Sequence, residues 1–116
     1  MIDAADAPGV LSSVDLVIDA AYGTGFRGTW QPPDAGDTPV LAVDIPSGVS
    51  GLTGEIGGDA LKATATVTFA ALKPGLLLHP GAALTGTVQV ADIGLDTSSA
   101  QAHLLEACDV AALLPA

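Results

Sequence analysis

Three short runs of apolar residues constrain the fold more than any other feature of this sequence. They lie at 14–18, 40–43 and 66–70, and polar residues hardly alternate with apolar ones along them. Strands of this kind are buried on both faces, which is typical of a parallel sheet covered by helices on each side. A fourth run, "TVQVADIG" at 87–94, ends in Asp and Gly. The sequence therefore predicts an α/β fold with a mainly parallel sheet.

Helices that could cover such a sheet are scarce in the sequence. A short helix is predicted around 59–64, with Asp59 as its N-cap, and apolar residues at helical spacing predict another in the tail, with Ser99 as its candidate cap. The connection at 28–39 contains Pro32 and Pro33, so an irregular crossover is expected there instead of a helix. The shortage indicates an incomplete domain or a surface that a partner covers.

Two of the apolar runs end in an acidic residue, Asp19 after the first and Asp44 after the second. A carboxylate at the end of a buried strand is costly to desolvate unless it has a partner or borders a cleft. Open α/β sheets bind ligands beyond the carboxyl ends of their strands. These two acids therefore predict a ligand site at that edge.

The segment "VDIPSG" at 43–48 places a hydroxyl, that of Ser47, close to the carboxylate of Asp44. A carboxylate, a hydroxyl and loop carbonyls suit an oxygen-preferring cation better than zinc, which favours His or Cys. The alternative is that Asp44 accepts local backbone N–H groups in an Asx-type turn. The residues alone leave both interpretations open.

The segment "DAAYGTGFRG" at 19–28 carries glycines at the G-x-G-x-x-G spacing of a dinucleotide loop. Such a loop opens a helix, whereas "TWQPP" follows here, so a flexible loop that needs glycines for its turns is the alternative. Arg27 lies inside the loop and is one of 3 basic residues. Its guanidinium suits phosphate binding, and a surface ion pair with an acidic residue is equally open.

The charge of the chain limits its partners. With 13 acidic residues against 3 basic ones, the formal net charge is −10. Nucleic acids and anionic membranes both require clusters of Lys and Arg, so neither is expected as a partner. The single cysteine excludes an intramolecular disulfide and a cysteine-rich zinc site. No secretory signal or bilayer-spanning stretch is recognised, so we expect a soluble cytoplasmic chain.

Three long segments together resemble the later half of the NAD(P)H-hydrate epimerases. They are "DLVIDAAYGTGFRG", "PVLAVDIPSGVSGLTGE" and "ATATVTFAALKPGLLLHPGAALTGTVQVADIGL", in this order and spacing, and the match runs from about Val14 to Leu95. The resemblance implies a Rossmann-like three-layer αβα fold. It also implies a metabolite-repair activity, the interconversion of the R and S forms of hydrated NADH and NADPH (NADHX and NADPHX). The family binds a potassium ion beside this substrate.

The resemblance also assigns roles to individual residues. Asp19 and Ser47 match the family's potassium contacts, and Asp44 matches a substrate contact that we expect to be the general acid/base. A cation beside Asp19 would favour its ionised form. The substrate-binding loop matches Gly23, Thr24, Gly25, Phe26, Arg27, Gly28 and Thr29.

The departures from the family pattern concern the two ends of the chain and the connection at 28–39, which is shorter and richer in proline than the helical crossover usual in the family. Nothing in residues 1–18 resembles the Asn-Asn-Gly-Gly-Asp phosphate loop of the family's earlier half. We therefore expect an irregular start at 1–13, a partial epimerase domain at 14–96 that is truncated at its N-terminus, and a helical tail at 97–116. The tail resembles the junction that leads, in two-domain relatives, into an ADP-dependent dehydratase domain.

A partial domain is expected to be catalytically poor on its own and to expose an apolar sheet edge, which favours self-association. Whether this chain is itself an enzyme therefore stays open at the level of sequence. One alternative is a non-catalytic module that binds nucleotides or another protein, and another is a fragment without independent function. The preference between NADHX and NADPHX is open as well.

Overall fold

The structure, a computed structural model, describes residues 6–11 and 13–115, so the part of the expected irregular start that falls on 1–5 and 12 lies outside the described residues. Its four strands are β1 (Val17–Asp19), β2 (Val40–Val43), β3 (Ala65–Phe69) and β4 (Thr87–Ala91). Two 3₁₀ turns, Pro74–Leu76 and Gly81–Leu84, separate β3 from β4, and one helix, α1 (Ala107–Leu113), lies in the tail.

The strands form one sheet in the order β1-β2-β3-β4, and every neighbouring pair is parallel. The predicted α/β class with a Rossmann-like parallel sheet is thereby confirmed. β2 has the predicted bounds. β1 begins only at Val17, because β2, its one neighbour among the described strands, begins at the opposite residue, Val40. All four strands run in one direction, so their carboxyl ends lie at one edge of the sheet.

The two faces of the sheet are buried to different extents. Val17, Val40 and Ala42 point to one face and are buried, whereas Ile18 on the other face is 61% exposed and Leu41 is partly exposed. Both core clusters contact the first face, one around Val17 and Val40, the other around Ile45, Val49 and Leu76. The expectation that the strands are buried on both faces is wrong for the described residues, because the connections between strands pack on the first face.

The predicted helix at 59–64 is absent, and this prediction was wrong. Backbone N–H groups that a helix would use internally are donated to distant segments. Asp59 donates to the Trp30 carbonyl (3.0 Å), Ala63 to Leu84 (2.8 Å) and Thr64 to Val40 (2.8 Å). Within the described part of the chain, the Asp59 carboxylate accepts only the N–H of the next residue (2.8 Å), so it caps no helix there.

Helix α1 lies in the tail, as predicted, but Ser99 does not cap it. The helix begins after Glu106, whose side chain and that of Asp109 form a reciprocal capping box. All the residues of α1 are exposed. No helix of the described residues is both long enough and apolar enough to cross a bilayer. The domain boundaries at 13/14 and 96/97 stay predictions.

Gly75 shows how closely the connections pack under the sheet. This residue of the first 3₁₀ turn is buried, and its N–H donates to the Gly51 carbonyl (2.9 Å). A Cβ atom at this position would collide with the backbone carbonyl oxygen of Ser50. No flexible side chain is there to move aside, so only glycine fits without a backbone shift.

Gly75→Ala should lower the free energy of unfolding by about 2–3 kcal/mol, because overpacking against backbone forces the connection to move. Urea denaturation of both proteins measures the difference. Gly9→Ala is the matched control: a Cβ atom there meets nothing within 4 Å, and the change should stay within about 0.5 kcal/mol. Equal losses in the two variants would contradict the close packing around Gly75.

Candidate functional site

Asp19 and Ser47 meet at the carboxyl edge of the sheet. Asp19 ends β1 and its residue is only 4% exposed. Oδ1 of Asp19 accepts a hydrogen bond from the Ser47 hydroxyl (2.5 Å), and Oδ2 accepts one from the Ser47 backbone N–H (2.8 Å). One residue therefore satisfies both oxygens of a buried carboxylate, and the structure brings together the two residues that were predicted to contact a cation.

The chain reverses after β2 in a way that aims Ser47 at β1. Ile45 is fully buried in the core, and the Val49 N–H donates to the Pro46 carbonyl (3.1 Å), which closes a tight turn. Gly48 has a φ of 91°, a left-handed conformation that favours glycine. The "IPSG" sequence therefore folds back locally, and the serine hydroxyl points toward the neighbouring strand.

A third oxygen lies beside this pair. The Tyr22 N–H donates to the Ser47 hydroxyl oxygen (2.9 Å), and the Tyr22 carbonyl oxygen is 3.1 Å from the same hydroxyl. Among the described residues, no Lys, Arg or His forms an ion pair with Asp19. The described residues also contain no group of three or more His, Cys, Asp or Glu side chains that could hold a metal ion. Hard oxygen atoms without a basic partner suit an alkali cation better than a transition metal.

The loop at 23–29 directly follows Tyr22, and contacts between aromatic side chains stabilise it. Tyr22 stacks on Phe26 with ring centroids 4.2 Å apart, and Trp30 meets Tyr22 edge-on at 5.7 Å. The spacing of four residues between these three aromatics is a signal that the sequence analysis missed. Gly23, Thr24, Gly25, Arg27, Gly28 and Thr29 are exposed, and Phe26 is half-buried.

The loop lies beside the segment that follows Ser47. The Trp30 N–H donates to the Gly57 carbonyl (3.0 Å), and the Thr24 side chain packs against the backbone at Gly51. No helix follows the loop, so it lacks the geometry of a dinucleotide loop and matches the alternative of a glycine-rich turn region. Arg27 forms no ion pair with a described residue, which leaves its guanidinium available at the surface.

Asp44 belongs to a second polar cluster at the same edge, one residue beyond β2. Its Oδ1 accepts hydrogen bonds from the Lys73 ammonium (2.6 Å), the Thr68 hydroxyl (3.1 Å) and the Phe69 N–H (3.4 Å). These donors are 24 to 29 residues away in sequence, so the local Asx-type turn is wrong. The backbone of Asp44 is left-handed, with a φ of 70°.

Lys73 is the site residue that sequence reasoning missed. It lies four residues after β3, directly before a Pro-Gly pair that turns the chain. Its side chain is 22% exposed and that of Asp44 is 21% exposed, so the pair is mostly shielded from water. Such a pair depends on a fold that brings residues 44 and 73 together, and no local pattern encodes it.

The pKa of Asp44 reflects this environment. Burial raises the pKa of the carboxyl, but the hydrogen bond and charge of Lys73, with the Phe69 N–H and the Thr68 hydroxyl, hold it below its ordinary value of 3.8. Asp44 is therefore ionised at neutral pH. Because the folded pKa is below the unfolded one, the carboxylate stabilises the fold above about pH 4, and this contribution is lost as the pH falls through the folded pKa.

The two acids lie at one edge of the sheet, each after its own strand, but their partners differ. Asp19 faces Ser47 and Asp44 faces Lys73. Two cavities, of about 460 and 430 Å³, lie elsewhere, one along the exposed tail and one near the beginning of β2. Neither cavity is lined by Asp19, Ser47, Asp44 or Lys73.

Comparison with known proteins identifies a family for this chain. The family model described as "YjeF-related protein N-terminus" matches residues 2–75, which include β1, β2, the glycine loop and Asp44. The chain belongs to this family. The predicted resemblance to NAD(P)H-hydrate epimerases is confirmed by curated relatives.

A bifunctional NAD(P)H-hydrate repair enzyme Nnr from Moorella thermoacetica is 46% identical over 89 residues, 70% of this chain and 17% of that protein. An NAD(P)H-hydrate epimerase from Legionella pneumophila is 37% identical over 91 residues, 72% of this chain and 34% of that protein. A bifunctional enzyme of the same name from Mycobacterium leprae is 41% identical over 114 residues, 91% of this chain and 23% of that protein. The chain thus matches between 17% and 34% of the length of these relatives.

Ser47→Ala should lower the free energy of unfolding by about 2 kcal/mol, because it removes a hydroxyl donor from a buried carboxylate. Chemical denaturation at pH 7 measures the loss. Ser99→Ala is the control, since Ser99 is exposed and exposed substitutions change stability by about 0.5 kcal/mol or less. A Ser47→Ala protein as stable as the control would show that the contact with Asp19 contributes little.

Proposed function

We propose that this chain takes part in the epimerisation of hydrated NADH and NADPH, the interconversion of their R and S forms. The observation that carries the proposal is that Asp19, Ser47 and Asp44 lie at one edge of the sheet, together with the exposed loop at 23–29. The resemblance assigns these residues to the family's site. Relatives from Legionella pneumophila and Limosilactobacillus fermentum are named NAD(P)H-hydrate epimerase.

The loop at 23–29 would bind the substrate. Its glycines are exposed and lack side chains that would keep a ligand from the backbone, and Arg27 carries a charge that is free of described acidic partners. A guanidinium pairs with phosphate oxygens through two parallel hydrogen bonds. This placement lets an acidic chain bind an anionic nucleotide, because one local cation and backbone N–H groups outweigh a distant net charge.

Asp44 would meet the reacting part of the substrate. Inversion at the hydrated carbon requires a proton to move to or from the hydroxyl group or the ring, and a positioned carboxylate performs such transfers. The lowered pKa of Asp44 keeps the carboxylate ionised at neutral pH. Asp44 would therefore begin the reaction as the proton acceptor and return the proton afterwards.

Asp19 and Ser47 would hold a potassium ion. The residues fit such an ion, because a buried carboxylate without a described basic partner lies beside hydroxyl and carbonyl oxygens. When bound, the ion supplies a fixed positive charge next to the substrate. The hydrogen bonds between Asp19 and Ser47 would orient the end of β1 toward the ion.

Epimerisation by the 116-residue chain tests the proposal directly. Purified R-NADPHX is incubated with the protein, and the appearance of the S form is followed by chromatography against the spontaneous rate. Asp44→Asn should reduce the enzymatic rate about 100-fold or more, because general acid/base catalysis contributes a factor of that size. Asp37→Asn, at an exposed position, should leave the rate unchanged.

A binding module without turnover is the second candidate, favoured by the half-exposed apolar face of the sheet, where Ile18 is 61% exposed. Isothermal titration with NADPHX distinguishes the two. Affinity with no rate above the spontaneous one supports the module, and the absence of both binding and turnover would overturn the proposed function.

Thermal unfolding in matched chloride salts tests the cation. Potassium chloride should raise the Tm above that in tetramethylammonium chloride by several degrees, because a ligand that binds only the folded state stabilises it. Asp19→Asn should abolish the difference between the two salts, whatever its effect on the Tm itself. Equal Tm values for the wild-type chain in both salts would argue against a potassium site.

A further inference from the structure

The ammonium group of Lys73 uses all of its hydrogen-bonding capacity inside the protein. Its Nζ lies 2.6 Å from Oδ1 of Asp44, 2.9 Å from the Thr68 hydroxyl oxygen and 2.7 Å from the Phe69 carbonyl oxygen. An ammonium carries three N–H donors and no acceptor. Three acceptors therefore match three donors, and no donor remains for a ligand.

The chain that carries Lys73 is fixed on both sides. After β3 the backbone reverses at Ala70, whose φ is 64° and whose N–H donates to the Ala91 carbonyl of β4 (2.9 Å). Lys73 is then followed by the 3₁₀ turn Pro74–Leu76, in which Leu76 is buried in the core. The lysine side chain thus returns over the end of its own strand, in a position that the surrounding packing determines.

The two oxygens of Asp44 are in different environments. Lys73, Thr68 and Phe69 all donate to Oδ1, and no described residue donates to Oδ2. Each carboxylate oxygen accepts about two hydrogen bonds, so Oδ1 is fully occupied. The side chain of Asp44 is 21% exposed, and no buried side-chain oxygen of the described residues lacks a hydrogen-bond partner. The unbonded Oδ2 is therefore not buried, and a ligand can approach it.

We infer that Lys73 is a positioning residue that holds Asp44 by Oδ1 and presents Oδ2 to a hydrogen-bond donor of the ligand, a hydroxyl or an amide N–H. The identity of this ligand as hydrated NADH or NADPH rests on the proposed function. The contact between Lys73 and Asp44 does not depend on that function.

The charged surroundings of Asp44 agree with this role. Lys73, from the connection after β3, is the described cation that faces it, and β3 itself contributes only the neutral donors of Thr68 and Phe69. Asp19, the acid on the neighbouring strand, is occupied by Ser47. A role for Lys73 as an amine nucleophile would require three contacts to break, so positioning through Asp44 is the function that the geometry supports.

A ¹³C NMR titration of the Asp44 carboxyl group tests the inference without any substrate. The pKa of Asp44 should rise by about one unit in Lys73→Met, because a paired cation lowers the pKa of a carboxyl by at least that amount. Lys62→Met is the matched control: Lys62 is exposed and makes no side-chain hydrogen bond with a described residue, so the titration should not change. An unchanged Asp44 titration in Lys73→Met would overturn the inference.

Lys73→Arg separates charge from position. The guanidinium keeps the positive charge, so the pKa of Asp44 should stay below its ordinary value, but its planar fork does not match three acceptors around one nitrogen. With NADPHX as substrate, kcat should fall about tenfold or more while KM changes little. If Lys73→Arg has the kcat of the wild type, Lys73 contributes only its positive charge, and the positioning role is contradicted.

The wild-type chain supplies a measurement that needs no variant, should Lys73→Met fail to fold. In the protein labelled with both ¹⁵N and ¹³C, the Lys73 ammonium should show a scalar coupling to the Asp44 carboxyl carbon across their hydrogen bond. An ammonium signal without that coupling would overturn the inference. These outcomes differ from failure of the proposed function: absence of epimerisation leaves the coupling and titration intact, and a missing coupling leaves epimerisation possible.

Discussion

The hydrogen bonds between the buried Asp19 and Ser47 are the contact on which both the fold and the site depend. Among the described residues, β1 is an edge strand of three residues that pairs only with β2. Burying its terminal carboxylate without donors would cost several kcal/mol, and Ser47 provides a donor for each oxygen. The same two bonds join the end of β1 to the turn after β2, beyond the last backbone pair of the two strands, Asp19 and Ala42. They thereby place the glycine loop beside that turn.

The two acids at this edge are stabilised by different means, and this gives the site two electrostatic halves. Asp19 is held by neutral donors and forms no ion pair with a described residue. Asp44 is compensated by Lys73 and anchored through one oxygen. In a chain with a net charge of −10, the few cations therefore have distinct positions: Lys73 lies inside the site, Arg27 in the loop, and Lys62 on the surface.

The sequence predicted what depends on local pattern and failed where distant segments decide. The apolar run at 40–43 and the acids at 19 and 44 correctly located β2 and the carboxyl edge, because strand burial and strand ends leave local signals. The helix at 59–64 was wrong because its N–H groups bond to residues far away in sequence, such as Trp30. Ser99 was wrong as a cap because Glu106 and Asp109 cap the helix together. Lys73 was missed for the same reason as the helix, since its partner is 29 residues away.

Asp44 and Ala70 both have a left-handed backbone, and this affects the affinity for a ligand. Each of these residues holds a conformation that costs an L-amino acid roughly 1–2 kcal/mol. That energy is spent when the chain folds, and the carboxylate is already oriented before any ligand arrives. Preorganisation of this kind spares the complex the entropy of ordering a mobile acid, so a ligand that reaches this edge retains more of its contact energy as affinity.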